Sequence, residues 1–415
     1  MSLPPVPASS NPFDTRLDRI LAEIAFNVQL PPSLHRKATD RYKAVRTFLE
    51  GTDAFEDQIE HFYPQGSMAI DATISNRGTD DEFDIDIVAQ LGGRFRSMQP
   101  NEILDELFDA LDGYQGLKVV RQTRCVTLYY ADGMHLDITP ALRVANTPDR
   151  QSVITHSKGP TARADDDFVD MNAYGFANWY SERTPFEVKV VEEFNRRWRL
   201  FEAANYRADA EVDEVPDQTE FVAKNTATLA LQLTKRYRNI RYATYDGRIP
   251  PSVMMSCMAG LVAEPGLTLS QMLLKLCRHI AREIRAASAR GELLQVSNPT
   301  HEDDLFTDRW PENQKQQIQF ARYLDELVEG LEEAMEMSPG ELGDWLRETF
   351  GDRVVSRAVD EIAKEAAAVR EGRHSYSPSG KVILPSAAAA AIATPSAARA
   401  TPTPTPHTFF GDLRK

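Results

Sequence analysis

The sequence predicts an α+β protein of two lobes, a mixed-sheet core followed by a helical lobe. Short runs with the alternating residues of β-strands are concentrated before residue 160. Apolar residues then repeat at helical spacing over most of residues 161–372, and from 373 the chain becomes rich in Pro, Ala, Ser and Thr. We therefore expect an α/β core with N-terminal helices at 1–160, a helical lobe at 161–372 and a disordered tail at 373–415.

Helices are expected before and after the first strands. Apolar residues spaced by three or four predict a helix over residues 14–26. A second helix should begin with Ser33 as its N-cap, after two prolines, and should end at Gly51. Another is expected around residues 101–112. In the second lobe the same spacing predicts helices around residues 229–237, 269–284 and 323–331.

The strands of the expected core carry the acidic residues of interest. Polar and apolar residues alternate over residues 83–90, which predicts a strand. Several β-type runs follow between 117 and 142, and Asp132-Gly133 separates two of them. An Asp-Gly pair between such runs is a strong hairpin signal. The second strand of this hairpin should carry Asp137, with its apolar neighbours on the opposite face.

Composition limits the class of protein and of partner. The chain has 415 residues and a formal net charge of -15, which argues against tight nonspecific binding of long nucleic acid. No apolar run approaches the roughly 18–20 residues that a membrane helix needs, and the N-terminus lacks the pattern of a secretory signal. The three cysteines are scattered and form no CxxC pair, so we expect neither disulfides nor zinc, and a cytoplasmic location.

Asp84 and Asp86 are the most informative residues of the sequence. Because side chains alternate along a strand, both carboxylates project from one face, about 7 Å apart. Two like charges so placed repel, but two divalent cations about 3.5–4 Å apart could bind between them. Asp137 would complete a site for two-metal phosphoryl transfer if its strand adjoins theirs. Upstream, Gly66-Ser67 predicts a turn whose N–H groups and hydroxyl bind a phosphate.

The charged groups of the sequence also have purely structural explanations. Asp84 and Asp86 could be solvated carboxylates on an exposed strand, although Asp is a poor strand former. The basic cluster at 235–241 is explained mainly as a helix C-terminus with a solvated face, from which one cation could reach a triphosphate. Residues 196–199 are likewise expected to form a solvated helix face, and residues 80–82 a solvated acidic loop.

The order Gly66-Ser67, then Asp84 and Asp86, then Asp137 resembles the three-part pattern of polymerase-β-like nucleotidyltransferases. More narrowly, the chain resembles the bacterial CD-NTases, which are cGAS/DncV-like enzymes related to oligoadenylate synthetase. The resemblance extends over about residues 15–370. Further matching segments are residues 172–179, 235–239, 250–252, 298–299 and 308–310.

This resemblance implies a function and assigns roles to residues. It implies a polymerase-β-like fold with an active site between the lobes, which uses Mg²⁺ and nucleoside triphosphates to make cyclic di- or trinucleotides for CBASS anti-phage defence. Asp84, Asp86 and Asp137 match the ligands of two Mg²⁺ ions. Ser67, beside Gly66, matches the phosphate-binding serine. In the helical lobe, Lys235 and Ser252 match residues that contact the donor triphosphate.

Two other functions remain open from the sequence. The chain could transfer a nucleotide to an RNA or protein acceptor, or a degenerate site could sense a nucleotide while the tail recruits a partner. We expect ATP as a substrate, together with other nucleoside triphosphates. The resemblance also implies a regulatory protein of a defence operon as a partner of the tail. Phe409-Phe410, two aromatics after a low-complexity linker, are the expected contact, and an inert, solvated tail is the alternative.

Overall fold

The computed structural model confirms an α+β fold with a mixed sheet and a helical lobe. It describes residues 11–75, 82–147, 150–159, 161–208, 225–370, 375–376 and 382–383. Within these ranges the main sheet contains β1 (Ile59–Pro64), β2 (Phe83–Leu91), β3 (Lys118–Arg121), β4 (Val126–Tyr129), β5 (Met134–Arg143), β6 (Ser152–His156) and β7 (Asp167–Met171). Two short pairs are separate from it, β8 (Ser297–Asn298) with β9 (His301–Leu305), and β10 (Ser375–Tyr376) with β11 (Val382–Ile383).

The helices fall into two groups. Those near the sheet are α2 (Pro32–Glu50), α3 (Gly66–Ala69) and α4 (Pro100–Leu111). The others are α1 (Arg16–Val28), α5 (Ala173–Arg183), α6 (Val188–Ala208), α7 (Thr226–Arg241), α8 (Ser252–Val262), α9 (Leu269–Ala289), α10 (Gln314–Glu333), α11 (Pro339–Phe350) and α12 (Asp352–Arg370). In the part of the chain described, no helix is both long enough and apolar enough to cross a membrane.

The sheet places β2 and β5 at its centre. Its order is β1-β2-β5-β4-β3, and β6 and β7 extend it from the second half of β5. The β2–β5 pair is parallel, whereas the other neighbours are antiparallel. Ile85 and Leu136, directly opposite each other on β2 and β5, are fully buried in the core that includes residues of α2 and α4. The side chains that alternate with them therefore face away from this core.

Helix α7 forms the centre of the helical lobe. Its residues from Thr226 to Asn239 are buried on every side, in a lobe that contains the largest apolar cluster of the described residues. Helices α8, α9 and α11 pack against α7. A helix surrounded in this way must bury its polar side chains as well as its apolar ones, so each of them needs a partner.

The structure differs from the expected division of the chain in several places. Helix α1 packs into the helical core, although it precedes the sheet in the sequence. The sheet continues past residue 160 into β7. Helix α2 begins at Pro32, so Ser33 lies inside the helix instead of capping it. Strands β10 and β11 lie within the tail expected to be disordered, and the rest of 373–415 is outside the described residues.

Candidate active site

The parallel pair β2–β5 brings the predicted carboxylates together. Asp86 is directly opposite Asp137, and Asp84 is opposite His135. Since partners in register on neighbouring strands project from the same face, Asp84, Asp86 and Asp137 share the face away from the core. The adjacency of the two strands, on which the three-carboxylate prediction depended, is therefore present in the structure.

Each carboxylate of this cluster has a different environment. Burial, then the charges of Asp137 and Asp84, raise the pKa of Asp86 to about 7, while Lys235 acts in the opposite direction. Burial also raises the pKa of Asp137, although the 2.5 Å hydrogen bond that Thr127 Oγ1 donates to it acts to lower that pKa. Negative charge is thus concentrated in a partly desolvated place, where a cation would be favourable.

Asp84 lies at the outer end of the cluster. Its side chain is 53% exposed, and its Oδ1 is 3.0 Å from Nδ1 of His135. The ring of His135 packs beside Tyr129 on β4, with ring centroids 4.6 Å apart. His135 therefore positions the Asp84 carboxylate at the solvent side of the cluster.

The Gly66-Ser67 turn lies directly against the carboxylates. The N–H of Gln65 donates to the backbone oxygen of Asp86 at 2.8 Å, which fixes the turn to β2. Gly66 has φ +56°, and a Cβ there would be 2.7 Å from Oδ2 of Asp86. Helix α3, which begins at Gly66, has four residues, and Ser67 Oγ lies 3.2 Å from Oγ1 of Thr73. Only glycine fits this turn without displacing a carboxylate.

The C-terminal half of α7 supplies cations on the side of the site that faces the carboxylates. Lys235, 2% exposed, donates from Nζ to the oxygen of Ala72 at 2.7 Å, in the segment that follows Ser67. Arg238 donates from Nη1 to the oxygen of Pro250 at 2.7 Å and to Oγ of Ser252 at 3.1 Å. Arg238 thereby connects the end of α7 to the start of α8 and holds the Ser252 hydroxyl.

All the residues predicted for the site line one cleft of about 390 Å³ between the sheet and the helical lobe. They are Gly66, Ser67, Asp84, Asp86, Asp137, Lys235 and Ser252. A cleft of this size suits a nucleotide-sized ligand. The structure thus brings together residues that are as far as 186 positions apart in the sequence, from Gly66 to Ser252.

Two expectations about solvated basic faces were wrong. Arg236 and Arg238 are 4% and 6% exposed, because α7 is surrounded by the lobe and these side chains bind carbonyl oxygens. Arg241 alone of the cluster at 235–241 is exposed as expected. In residues 196–199, Arg197 is buried and forms an ion pair with Glu23 of α1.

Several residues of the cleft were not predicted as site residues. Arg238, Asn239 and Ser256 line it, and Thr127 holds Asp137. Thr127 had a detectable signal, since it is a polar residue in the apolar run of β4, in register with Asp137 across an expected hairpin. Arg238 and Asn239 lie in the matching segment 235–239, but nothing in the sequence indicated their burial, because it depends on contacts with distant segments.

The donor set fits a hard divalent cation in its chemistry. Carboxylate oxygens are the ligands that Mg²⁺ prefers, and this cluster carries an excess of negative charge. With the side chains as they stand, however, no group of three or more His, Cys, Asp or Glu among the described residues is arranged to hold a metal ion. In this arrangement the Asp84 carboxylate contacts His135, and the Asp137 carboxylate accepts a hydrogen bond from Thr127.

Comparison with known proteins identifies the family. Residues 16–172 match the Second Messenger Oligonucleotide or Dinucleotide Synthetase (SMODS) domain. The chain is 49% identical, over 91% of each sequence, to the cyclic dinucleotide synthase CdnG of Bradyrhizobium diazoefficiens. It is 23% identical over 327 residues to a c-di-GMP synthase of Roseivirga ehrenbergii, covering 77% of this chain and 81% of that one.

Solved structures agree with this assignment. The structure of the Bradyrhizobium diazoefficiens CD-NTase CdnG in complex with GTP matches with a TM-score of 0.76 and 48% identity, over 84% of this chain and 99% of that one. The complex of Escherichia coli CdnC with HORMA-deltaN matches in fold, with a TM-score of 0.53 and 16% identity over 80% of this chain and 96% of that one. The chain therefore belongs to the bacterial CD-NTase family of nucleotidyltransferases.

Proposed function

We propose that this CD-NTase makes a cyclic dinucleotide from nucleoside triphosphates, GTP among them, in a reaction that depends on Mg²⁺. The named activity of the 49% identical relative and the GTP in its solved structure support this choice of product and substrate. ATP is kept as a candidate second substrate. The observation that carries the proposal is the position of Asp86 opposite Asp137 in a cleft that the Gly66-Ser67 turn also lines.

The carboxylates are proposed to hold the metal. Asp84, Asp86 and Asp137 would bind two Mg²⁺ ions, and their donor chemistry and shared face support this role. Mg²⁺ held there would supply Lewis-acid chemistry, which would lower the pKa of the attacking ribose hydroxyl and offset the negative charge of the leaving pyrophosphate. The protein's own contribution is to fix the carboxylates, through Thr127 for Asp137 and through the β2–β5 register for Asp86.

The remaining residues of the cleft are proposed to bind the donor triphosphate. Ser67 would donate a hydrogen bond to a phosphate oxygen from the sheet side, and Gly66 leaves room for it beside Asp86. Lys235 and Ser252 would contact the same triphosphate from the helical side. Because both walls bind one ligand, the phosphates would be held in a fixed orientation relative to the carboxylates.

The reaction can be tested directly with the full chain. Incubation with Mg²⁺ and labelled GTP, alone and with ATP, should release pyrophosphate and yield a free cyclic dinucleotide by mass spectrometry. Asp86→Asn should abolish the product, since losing one metal ligand removes several kcal/mol of transition-state stabilisation, roughly a factor of 10³ or more in rate. Asp109→Asn, an exposed residue on α4, is the matched control and should behave as wild type.

The outcomes of this experiment also separate the alternative functions. Label transferred to RNA or protein, with no free cyclic product, would favour the other acceptors. Nucleotide binding by calorimetry without pyrophosphate release would favour a sensing module. Equal product from wild type and Asp86→Asn would refute the proposed site.

We further propose that the cyclic product acts in anti-phage defence, and that the C-terminal tail binds a regulatory protein of the same defence system. Phe409-Phe410, the predicted contact, lies outside the described residues. Deleting residues 390–415 should abolish capture of a partner encoded beside the gene and should weaken phage protection. Unchanged capture and protection would mean that the tail is inert.

A further inference from the structure

A second group of cations lies at the turn before β4. Arg124, in the turn before β4, donates from Nε to Nδ1 of His156 at 3.1 Å and pairs with Asp308, Nη2 to Oδ2, at 2.5 Å. Arg248, which precedes the cleft-lining residue 249, donates from Nη1 to the backbone oxygen of Arg309 at 3.1 Å. Three arginines therefore meet around the loop at residues 308–309, which faces β4 from the helical lobe.

Arg309 is the cation of this group whose charge is not balanced. Asp308 pairs with Arg124, and Glu312 lies 3.7 Å from Arg248. Within the ranges that the structure describes, the half-buried side chain of Arg309 has no hydrogen bond or ion pair. Burial, then the charges of Arg124 and Arg248, lower the pKa of Arg309, with Asp308 opposing them. A desolvated guanidinium repelled by two others would gain from binding an anion.

The sheet order places this group relative to the carboxylates. Thr127 on β4 is in register with Asp137, and Arg124 and Cys125 directly precede this strand. Burial and the charge of Asp137 raise the pKa of the Cys125 thiol, whereas Arg309 lowers it, so Arg309 lies within electrostatic range of this position. The turn at Gly66 follows β1, on the β2 side of the carboxylates, whereas Arg124, which pairs with Asp308 next to Arg309, precedes β4, on the β5 side.

We propose that Arg309, flanked by Arg124 and Arg248, binds the β- and γ-phosphates of the second, acceptor nucleotide. This inference rests on the proposed function, because a dinucleotide synthase must hold two nucleotides at one catalytic centre. The donor triphosphate would lie on the side of Gly66 and Lys235. The acceptor, whose ribose hydroxyl attacks, would lie on the other side. In a chain with a net charge of -15, a polyanion there needs such a local surplus of cations.

A competition between two acceptors tests this assignment. The full chain, with Mg²⁺ and labelled GTP as donor, is offered unlabelled GTP and GMP together as acceptors. Attack by GTP gives the linear product pppGpG or the cyclic dinucleotide, whereas attack by GMP gives pGpG, which cannot be cyclised because it lacks the triphosphate. Arg309→Gln should reduce the preference for GTP over GMP by about ten- to a hundredfold, the usual effect of losing a hydrogen bond to a charged group, and should leave pGpG formation nearly unchanged.

Two further variants control for structure and charge. Arg309→Lys should keep part of the preference because it keeps the charge, and Arg290→Gln, an exposed arginine on a distant loop, should keep all of it. Thermal unfolding checks that each variant is folded. An equal loss of both products in Arg309→Gln, or an unchanged preference, would overturn the assignment; the first result would point to contact with the base, the sugar or the α-phosphate, which GTP and GMP share.

The role of Arg309 can be tested even if the chain does not make a cyclic dinucleotide. If the wild type makes no dinucleotide, calorimetry with GTP on Asp86→Asn chains, with and without Arg309→Gln, still tests the anion site. Weaker binding of GTP at one of two sites supports the assignment, and identical isotherms overturn it.

Discussion

Asp86 and Asp137 are opposite each other in the parallel pair β2–β5, and both project into the cleft. Neighbouring strands are about 4.8 Å apart, so the two carboxylates cannot avoid each other's charge. Burial of Asp86, and then its repulsion by Asp137 and Asp84, raise the pKa of the Asp86 carboxyl. A site of this kind is stabilised when it binds either a proton or a cation.

The first prediction concerns the stability of the chain with and without Mg²⁺. Magnesium at about 100 times its dissociation constant should stabilise the wild type by about 2.7 kcal/mol, because only the folded chain presents the carboxylates together. Asp86→Asn and Asp137→Asn should lose most of this gain. Thermal unfolding at pH 8, with and without Mg²⁺, measures the difference, and Asp109→Asn is the control. An undiminished shift in Asp86→Asn would exclude Asp86 as a ligand.

The second prediction concerns how the stability of Asp86→Asn depends on pH when no metal is present. The pKa of Asp86 is about 7 in the folded chain, above the ordinary value of 3.8, so the folded state binds the proton more tightly than the unfolded state. The resulting stability is complete below about pH 4 and is lost as the pH rises through 7. Asp86→Asn should therefore flatten the fall in stability between pH 4 and about pH 8 in the presence of EDTA. A slope equal to that of wild type would contradict the raised pKa.

The third prediction separates backbone strain from contact with the site at two glycines. Gly66 and Gly113 have φ of +56° and +78°, but a Cβ at Gly113 would meet nothing within 4 Å, whereas one at Gly66 would press on Asp86. Both Gly66→Ala and Gly113→Ala should destabilise the fold by about 1–2 kcal/mol. Only Gly66→Ala should also lower the rate of pyrophosphate release, by about tenfold or more. Equal activity in the two variants would show that the turn does not act on the carboxylates.

The sequence predicted the carboxylate face because it depends on local rules. Alternation along 83–90 and the Asp132-Gly133 hairpin were enough to orient Asp84, Asp86 and Asp137. The three-carboxylate prediction required β2 to pair with β5, and local rules do not predict this pairing. A helix and two other strands separate β2 from β5 in the sequence, and such strands can be ordered in several ways. The structure supplies that long-range fact.

Burial of charged side chains could not be predicted from the sequence. The basic residues near the end of α7 have the composition of a solvated helix face, and the resemblance singled out Lys235 from them. Arg236 is buried because the oxygen of Phe350, more than a hundred residues later, accepts its hydrogen bond. Arg197 is buried because α1 packs on the helical lobe and brings Glu23 to it. Such partners have no sequence signal near the residue itself.

The fourth prediction concerns this buried ion pair, which joins α6 to α1. Arg197 and Glu23 are 7% and 5% exposed, and Arg197 also pairs with Glu193, whereas Arg197 is the ion-pair partner of Glu23. Arg197→Met therefore leaves the Glu23 carboxylate uncompensated in the interior and should cost about 3–5 kcal/mol of unfolding free energy. The exposed pair Arg278–Glu332 is the matched control, and Arg278→Met should cost about 1 kcal/mol or less. Denaturant unfolding of both variants measures the contrast, and comparable losses would show that the inner pair is accessible to water.

The last prediction distinguishes two neighbouring buried cations of α7. Lys235 faces the cleft and the Ala72 oxygen, whereas Arg236 donates from Nε to the Phe350 oxygen at 2.8 Å, at the end of α11. Lys235→Met should raise the KM for GTP by about tenfold or more, since a cation that would contact the triphosphate is lost.

Arg236→Met provides the matched comparison, because it removes an adjacent buried cation without touching the cleft. It should lower the free energy of unfolding by about 1–3 kcal/mol, as expected when a buried carbonyl loses its donor, and should leave the KM nearly unchanged. Steady-state kinetics gives the KM of each variant, and denaturant unfolding gives its free energy of unfolding. If Arg236→Met raised the KM as much as Lys235→Met did, the effect would come from displacement of α7, and Lys235 would have no separate role in binding the phosphates.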